Sequence, residues 1–269
     1  MTLFGDLDQG EAYFYHYTRA ERLRQILDGG RLRMGPYAST NDPRETKAWY
    51  PSLSVPDDEA DLAQDEHVRL MADLDRRLRG RAKVLCLTKD AEPRDELDAI
   101  FQFRRGYARA RMWDQYGEKH AGACLVFDRR RLHSTIVEAS APAVPRFGNV
   151  RYENRPVGPT GRFNFDLAAL RRNGVEAEAD TFLREHTREL FFHKNTDWES
   201  EQEFRYVVVD DRPELFVPIW SSLVAVVLGD GHDADQLPAI RRHPAVAQGD
   251  VAVAVCRWQN GAPNPLPAA

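Results

Sequence analysis

At 269 residues, with 42% hydrophobic and 10% aromatic content, the chain has the composition of a folded globular protein and is too apolar for a disordered one. A formal net charge of -5 argues against a general nucleic-acid coat or a binder of anionic membrane, although a local basic groove is compatible with it. No apolar run is long enough to cross a bilayer, and Met1–Asp6 lacks the basic and apolar regions of a signal peptide. Cys86, Cys124 and Cys256 form neither a disulfide framework nor a metal-ligand spacing. A cytoplasmic protein is expected, or a toxin delivered by another machine.

In chain order, residues 12–17 are aromatic and β-prone and predict a first strand that carries His16 between Tyr15 and Tyr17. Thr18 and Glu21 then have capping-box spacing. The helix they open shows Leu23, Ile26 and Leu27 on one side and stops at Gly29-Gly30. With a strand over 31–34, this makes a strand–helix–strand unit that places His16 beside a helix N-terminus. Ser39-Thr40-Asn41-Asp42-Pro43 reads as a loop entering a helix, with Asp42 as cap and Pro43 at its first position. A mobile loop is expected over 51–59, a helix over 60–79, a strand over 83–88 and an acidic surface loop over 89–98. Residues 106–119 read as a helix with Trp113, Tyr116 and His120 on one face, followed by a strand over 122–127. Arg104, Arg105, Arg109, Arg111 and Arg129–Arg131 are expected on solvated helix faces and in salt bridges that involve no phosphate.

The second half continues with a strand over 146–152, a Gly/Pro turn over 156–161 and a helix over about 166–192. Strands follow near 202–209, 214–218 and 222–228, then a helix near 233–243, a strand over 250–256 and a loose C-terminal tail over 258–269. Strands outnumber regular βα alternation. The expected fold is therefore α+β, one domain over 1–269 with a mixed sheet and flanking helices.

The stretch Glu201-Gln202-Glu203-Phe204-Arg205 is the most informative for chemistry. On a strand Glu201, Glu203 and Arg205 share one face, while Phe204, Tyr206 and Val208 share the other, apolar one. Two carboxylates and a guanidinium on one face describe either an ion-paired edge or the floor of a polar site. Just upstream, Phe191 to Trp198 supply aromatic and basic groups, including His193 and Lys194. His16 is either a hydrogen-bonded core residue or a donor to a ligand hydroxyl. Ser39, Thr40 and Asn41 either cap a helix or face a ligand. Trp113 and Tyr116 either fill the core or wall a pocket. The chain lacks a GxGxxG fingerprint, a P-loop and a Gly-x-Ser-x-Gly elbow, and His186 and His193 have no further ligand at metal spacing.

Four stretches resemble, in order, the bacterial domain-of-unknown-function family 2971: Tyr15-His16-Tyr17-Thr18; Thr40-Asn41-Asp42-Pro43-Arg44-Glu45; Met112-Trp113-Asp114-Gln115-Tyr116 with His120 and Gly122; and Trp198 with Glu201-Gln202-Glu203-Phe204-Arg205. Ala38-Ser39-Thr40 replaces that family's aromatic lead-in to Asn-Asp-Pro, and Phe204 its commoner Trp. That family is in turn similar to the ADP-ribosyltransferase superfamily, which implies a split mixed sheet that binds NAD. The resemblance implies His16 as the ribose ligand on the first strand, Glu203 as the catalytic carboxylate and Glu201 as the carboxylate beside the incoming nucleophile. It further implies an NAD site that includes Tyr17, Thr18, Ser39, Thr40, Asn41, Trp113, Tyr116 and Arg205. The expected activity is NAD-dependent ADP-ribosyl transfer to a nucleic acid or protein, as in a bacterial toxin or phage-defence effector. A non-catalytic NAD or ADP-ribose sensor and a metal-dependent nuclease are the alternatives.

Overall fold

The computed structural model describes residues 12–55, 63–92, 94–97, 102–158, 163–248 and 251–268. The aromatic run becomes strand β1 (Tyr13–Thr18), followed by helix α1 (Ala20–Gly29) and strand β2 (Arg31–Pro36). Helix α1 ends as expected. Gly30 takes φ 62°, and its N–H donates to the carbonyls of Ile26 and Leu27. The capping box does not form: Thr18 is the last residue of β1 and pairs with Ala123, Arg19 is the N-cap without a side-chain bond, and the Ala20 N–H donates instead to Glu118 Oε2 at 2.9 Å. A carboxylate from a distant turn thus replaces a local one at the helix start.

A 3-10 turn, Tyr37–Ser39, leads to helix α2 (Pro43–Thr46), which Asp42 caps by accepting from the Arg44 N–H. The expected loop over 51–59 contains strand β3 (Ser52–Ser54), and its residues 56–59 lie outside the described residues. Helix α3 (Gln64–Arg79) and strand β4 (Ala82–Lys89) follow. Part of the acidic loop (93 and 98) is also outside the described residues. The helix expected over 106–119 is shorter, a 3-10 turn at Gly106–Ala108 and helix α4 (Ala110–Gln115). It gives way to Glu118, Lys119 and His120, all at positive φ, which fold the chain back so that His120 stacks on Trp113.

Strand β5 (Ala123–Asp128) and helix α5 (Arg129–Ser140) come next, then strands β6 (Arg146–Asn149), β7 (Arg151–Tyr152) and β8 (Asn164–Asp166). Of the expected Gly/Pro turn, residues 159–161 lie outside the described residues. The long helix is interrupted by Gly174 into α6 (Leu167–Asn173) and α7 (Val175–Phe191). Strands β9 (His193–Lys194), β10 (Glu203–Val209), β11 (Leu215–Pro218) and β12 (Leu223–Gly229) precede two short helices, α8 (Leu237–Arg242) and α9 (Pro244–Ala247). The chain closes with β13 (Ala252–Gln259) and β14 (Ala262–Pro267). The tail expected to be loose is therefore an edge strand, paired antiparallel with β13. Pro263, Pro265 and Pro267 alternate, so their missing N–H groups all face away from β13, the placement an edge tolerates.

The main sheet runs β11-β2-β4-β1-β5-β12-β13-β14, with β10 added on β4 and β6 on β10. It is antiparallel except for the β12–β13 pair, so the fold is α+β with a mixed, largely antiparallel open sheet and flanking helices. One face carries a continuous cluster that includes Phe14, Leu32, Met34, Leu85, Leu87, Phe204, Tyr206 and Val208, covered by α1 and α5. The apolar alternation of β10 expected from sequence is thus observed. The other face is divided. Tyr37, Trp49, Leu74 and Phe191 form a cluster with α3 and α7; Tyr15, Tyr17, Tyr107 and Trp113 form another. No helix among the described residues is long and apolar enough to cross a membrane.

A Cβ at Gly30 would lie 2.3 Å from Trp220 Nε1, and the backbone there is left-handed. Gly30→Ala is expected to cost about 1–3 kcal/mol and to lower the thermal midpoint by roughly 5 °C, measured by circular dichroism; an unchanged midpoint would contradict this packing.

Candidate active site at the parting of the sheet

Strand β10 occupies one edge of β4 along its whole length, from Glu203 opposite Thr88 to Val209 opposite Ala82. The other edge is shared. Strand β2 pairs only at Val84 and Lys83, and β1 only at Thr88 and Lys89. Between them, Leu85–Leu87 have no strand partner on that edge, and β1 and β2 splay apart. The gap opens into a cleft of about 390 Å³ that lies between the two clusters of the divided face. Unpaired strand groups need other partners, and the ring Nδ1 of His16 lies 3.4 Å from the Cys86 carbonyl.

The floor of the cleft is ionic. Glu201 ends a 3-10 helix (Thr196–Glu201), Gln202 is left-handed with φ 46°, and Glu203 opens β10. The alternation expected over 201, 203 and 205 therefore holds for Glu203 and Arg205, while Glu201 arrives through a turn. Both carboxylates nevertheless meet on one cation: Lys194 Nζ lies 2.6 Å from Glu201 Oε2 and 2.9 Å from Glu203 Oε2. Arg205 holds Glu203 from the other side, with Nε 2.6 Å from Oε1 and Nη2 3.1 Å from Oε2. It also pairs with Glu45 at 2.7 Å and donates to the Phe191 carbonyl at 2.6 Å. Arg205 and Glu45 are both 0% exposed.

The protonation states follow from this packing. Burial pushes Glu203 up, but Arg205 and Lys194 outweigh it and hold the carboxyl well below the ordinary range, so it is ionised. Burial pulls Lys194 down, yet Glu203, Glu45 and Glu201 together overcome both that and Arg205, and the ammonium stays charged. For Glu45 burial prevails over Arg205 and Lys194 and raises its pKa. Burial lowers His16, so its ring is neutral at pH 7. Burial and the neighbouring Glu201 charge raise Tyr116, whose hydroxyl stays protonated and donates to Glu201 Oε1 at 2.8 Å.

Of the residues expected at the site, His16, Tyr17, Ser39, Thr40, Asn41, Tyr116, Glu201 and Glu203 line this cleft. Three lie elsewhere. Trp113 is fully buried, donates its indole N–H to the Tyr107 carbonyl at 2.7 Å and supports Tyr17 edge-on from behind. Thr18 is buried at the end of β1. Arg205 is enclosed beneath the floor and reaches the cleft only through Glu203. Sequence reasoning assigned no role to Glu45, although it stands in the quoted Asn-Asp-Pro-Arg-Glu stretch, nor to Tyr152, whose hydroxyl accepts from the Glu203 N–H at 2.7 Å. Arg33, Gly35 and Cys86 also line the cleft.

Residues 112–206 match the model of the family described as protein of unknown function, DUF2971. That stretch contains two of the four motifs, with Tyr116, Glu201 and Glu203, and also Lys194; the His16 and Asn-Asp-Pro motifs precede it. No curated protein and no solved structure matches the chain.

Removing Lys194 leaves two buried carboxylates facing each other. Lys194→Met is expected to destabilise the fold by about 3–5 kcal/mol near neutral pH. The depressed pKa of Glu203 contributes stability that is present above the unfolded carboxylate range and lost as pH falls through its folded pKa. In the variant this contribution is diminished, so its deficit against the wild type should narrow as pH is lowered below ~5. Urea unfolding of both proteins at several pH values checks this; a pH-independent deficit would contradict the ion cluster.

Proposed function

We propose that the protein transfers ADP-ribose from NAD to a macromolecular acceptor, a nucleic acid or a protein. The observation that carries the reading is that His16 and Tyr17, from the first strand, line one cleft with Glu201 and Glu203, from the far end of the chain. The cleft volume falls in the range of small-molecule sites. Its chemistry suits the cleavage of a glycosidic bond to a cationic leaving group. The nicotinamide–ribose bond breaks with its electron pair leaving on nicotinamide, and positive charge develops at the ribose C1′. A carboxylate kept ionised at the floor, Glu203, stabilises that charge and accepts from the 2′-hydroxyl. Neutral His16 offers one ring nitrogen to another ribose hydroxyl. Tyr17, fixed by donating to the Gly106 carbonyl at 2.6 Å, supplies an aromatic surface. The acceptor's oxygen or nitrogen forms the new bond to C1′, and its proton passes to Glu201. The contacts of Glu201 with Lys194 and Tyr116 orient it for that role.

A second reading is favoured by one feature. Both oxygens of Glu203 are already engaged by Arg205 and Lys194, which suits a pocket that binds the nucleotide without turning it over. The metal-dependent nuclease reading has less support: an ammonium occupies the space between Glu201 and Glu203, and among the described residues no group of three or more His, Cys, Asp or Glu is placed to hold a metal ion.

Wild-type protein incubated with etheno-NAD and cell extract is expected to release nicotinamide, and Glu203→Gln to lose at least about 100-fold in kcat with little change in KM. Equal turnover by the variant would remove Glu203 from the chemistry. NAD binding without nicotinamide release from the wild type would replace the transferase with the sensor.

A further inference from the structure

The outward face of β2 carries a feature that the floor chemistry leaves unused. Leu32 and Met34 point into the continuous cluster, so Arg33 and Gly35 alternate to the opposite face, where both line the cleft. Because β10 and β2 flank opposite edges of β4, Arg33 and Gly35 stand across the cleft from Glu201 and Glu203. The cleft is therefore polarised. One wall carries two carboxylates against one ammonium; the other carries a guanidinium.

Two observations make that second wall available to a ligand. Arg33 pairs only loosely with Glu214, Nε to Oε1 at 3.4 Å, and the two side chains are 50% and 51% exposed. An exposed pair of this kind contributes little and is readily exchanged for a phosphate that a guanidinium can grip with two N–H groups. Lys194, by contrast, is held by two buried carboxylates. At Gly35 an added Cβ would meet nothing within 4 Å, so the wall beside Arg33 is bare backbone bordering open space, which allows a bulky group to approach closely.

We propose that Arg33 and Gly35 form the subsite for the diphosphate of a dinucleotide, and so select diphosphate-bearing nucleotides over nicotinamide and its riboside. This rests on the transferase reading for the identity of the dinucleotide, whereas the anion-binding character of Arg33 is independent of it. The charge-assisted bonds of Arg33 hold the diphosphate at the β2 wall, and the reacting ribose is thereby directed to the β10 wall.

Isothermal titration at low salt with ADP-ribose, inorganic pyrophosphate and nicotinamide riboside tests the assignment. Arg33→Gln, a change at a half-exposed side chain, is expected to weaken ADP-ribose and pyrophosphate at least about tenfold and to leave the riboside unchanged. Arg33→Lys, which keeps the charge but not the fork, should retain part of the pyrophosphate binding. Gly35→Leu should weaken ADP-ribose as strongly without lowering the thermal midpoint, because the space it fills is open. Wild-type affinity of Arg33→Gln for ADP-ribose and pyrophosphate overturns the subsite and leaves the transferase reading standing. Arg33-dependent binding of pyrophosphate by a wild-type protein that binds neither NAD nor ADP-ribose overturns the transferase reading and keeps the anion subsite.

Discussion

The burial of Arg205 is the constraint on which the site depends. A guanidinium with no exposure gives up its hydration, and that cost is recovered only if nearly every donor meets a well-placed acceptor. Arg205 does so by drawing on three separate parts of the chain: Glu203 beside it on β10, Glu45 on α2 and the carbonyl of Phe191 at the end of α7. Its plane also lies near the Tyr37 ring. Because these bonds are directional and sit in a low-dielectric interior, they fix the height and orientation of Glu203 at the cleft floor. The ion pair with Glu45 also ties α2 to β10. The polar wall of the cleft is in this sense an extension of one buried cation.

The parting of the sheet explains where the cleft lies. A single strand paired along the whole of the free β4 edge would leave no gap there. Instead the two strands share an edge and leave its middle uncovered. The apolar cover of that face divides accordingly, with α3 and α7 on one side and the Tyr107–Trp113 segment on the other. A gap with exposed strand groups favours polar side chains. Here it is lined by a neutral imidazole, a protonated phenol and the Lys194, Glu201 and Glu203 part of an ion cluster that continues beneath the floor to Arg205 and Glu45.

That cluster sets the chemical character of the site. Lys194 and Arg205 keep Glu203 ionised near neutral pH despite burial, and a carboxylate so held is a poor proton donor there. Glu201 differs, since it is shared between an ammonium and the Tyr116 hydroxyl rather than gripped by a guanidinium fork. Two chemically identical side chains two residues apart are thereby given different environments.

Much of this was legible in the sequence. The alternation of Phe204, Tyr206 and Val208 against Glu203 and Arg205 follows from the two-residue period of a strand; it identified the buried face of β10 and placed Glu203 and Arg205 together on the other. Asp42-Pro43 marked the start of α2, and Gly30 the end of α1, because capping is a local matter of backbone geometry. The C-terminal prolines misled, since their composition suggests a loose segment while their alternation is what an edge strand permits. The capping box at Thr18 was likewise overridden, because the ladder with β5 claims that residue and Glu118 serves the helix instead. The tertiary structure alone decided that Glu45 would reach Arg205, that Lys194 would stand between Glu201 and Glu203, and that Arg33 and Gly35 would face them across a cleft. Those relations depend on which strands share an edge of β4, and long-range pairing leaves no periodic trace in a single chain. The residues that carry charge can be read locally; the partners that set their protonation can be known only from the fold.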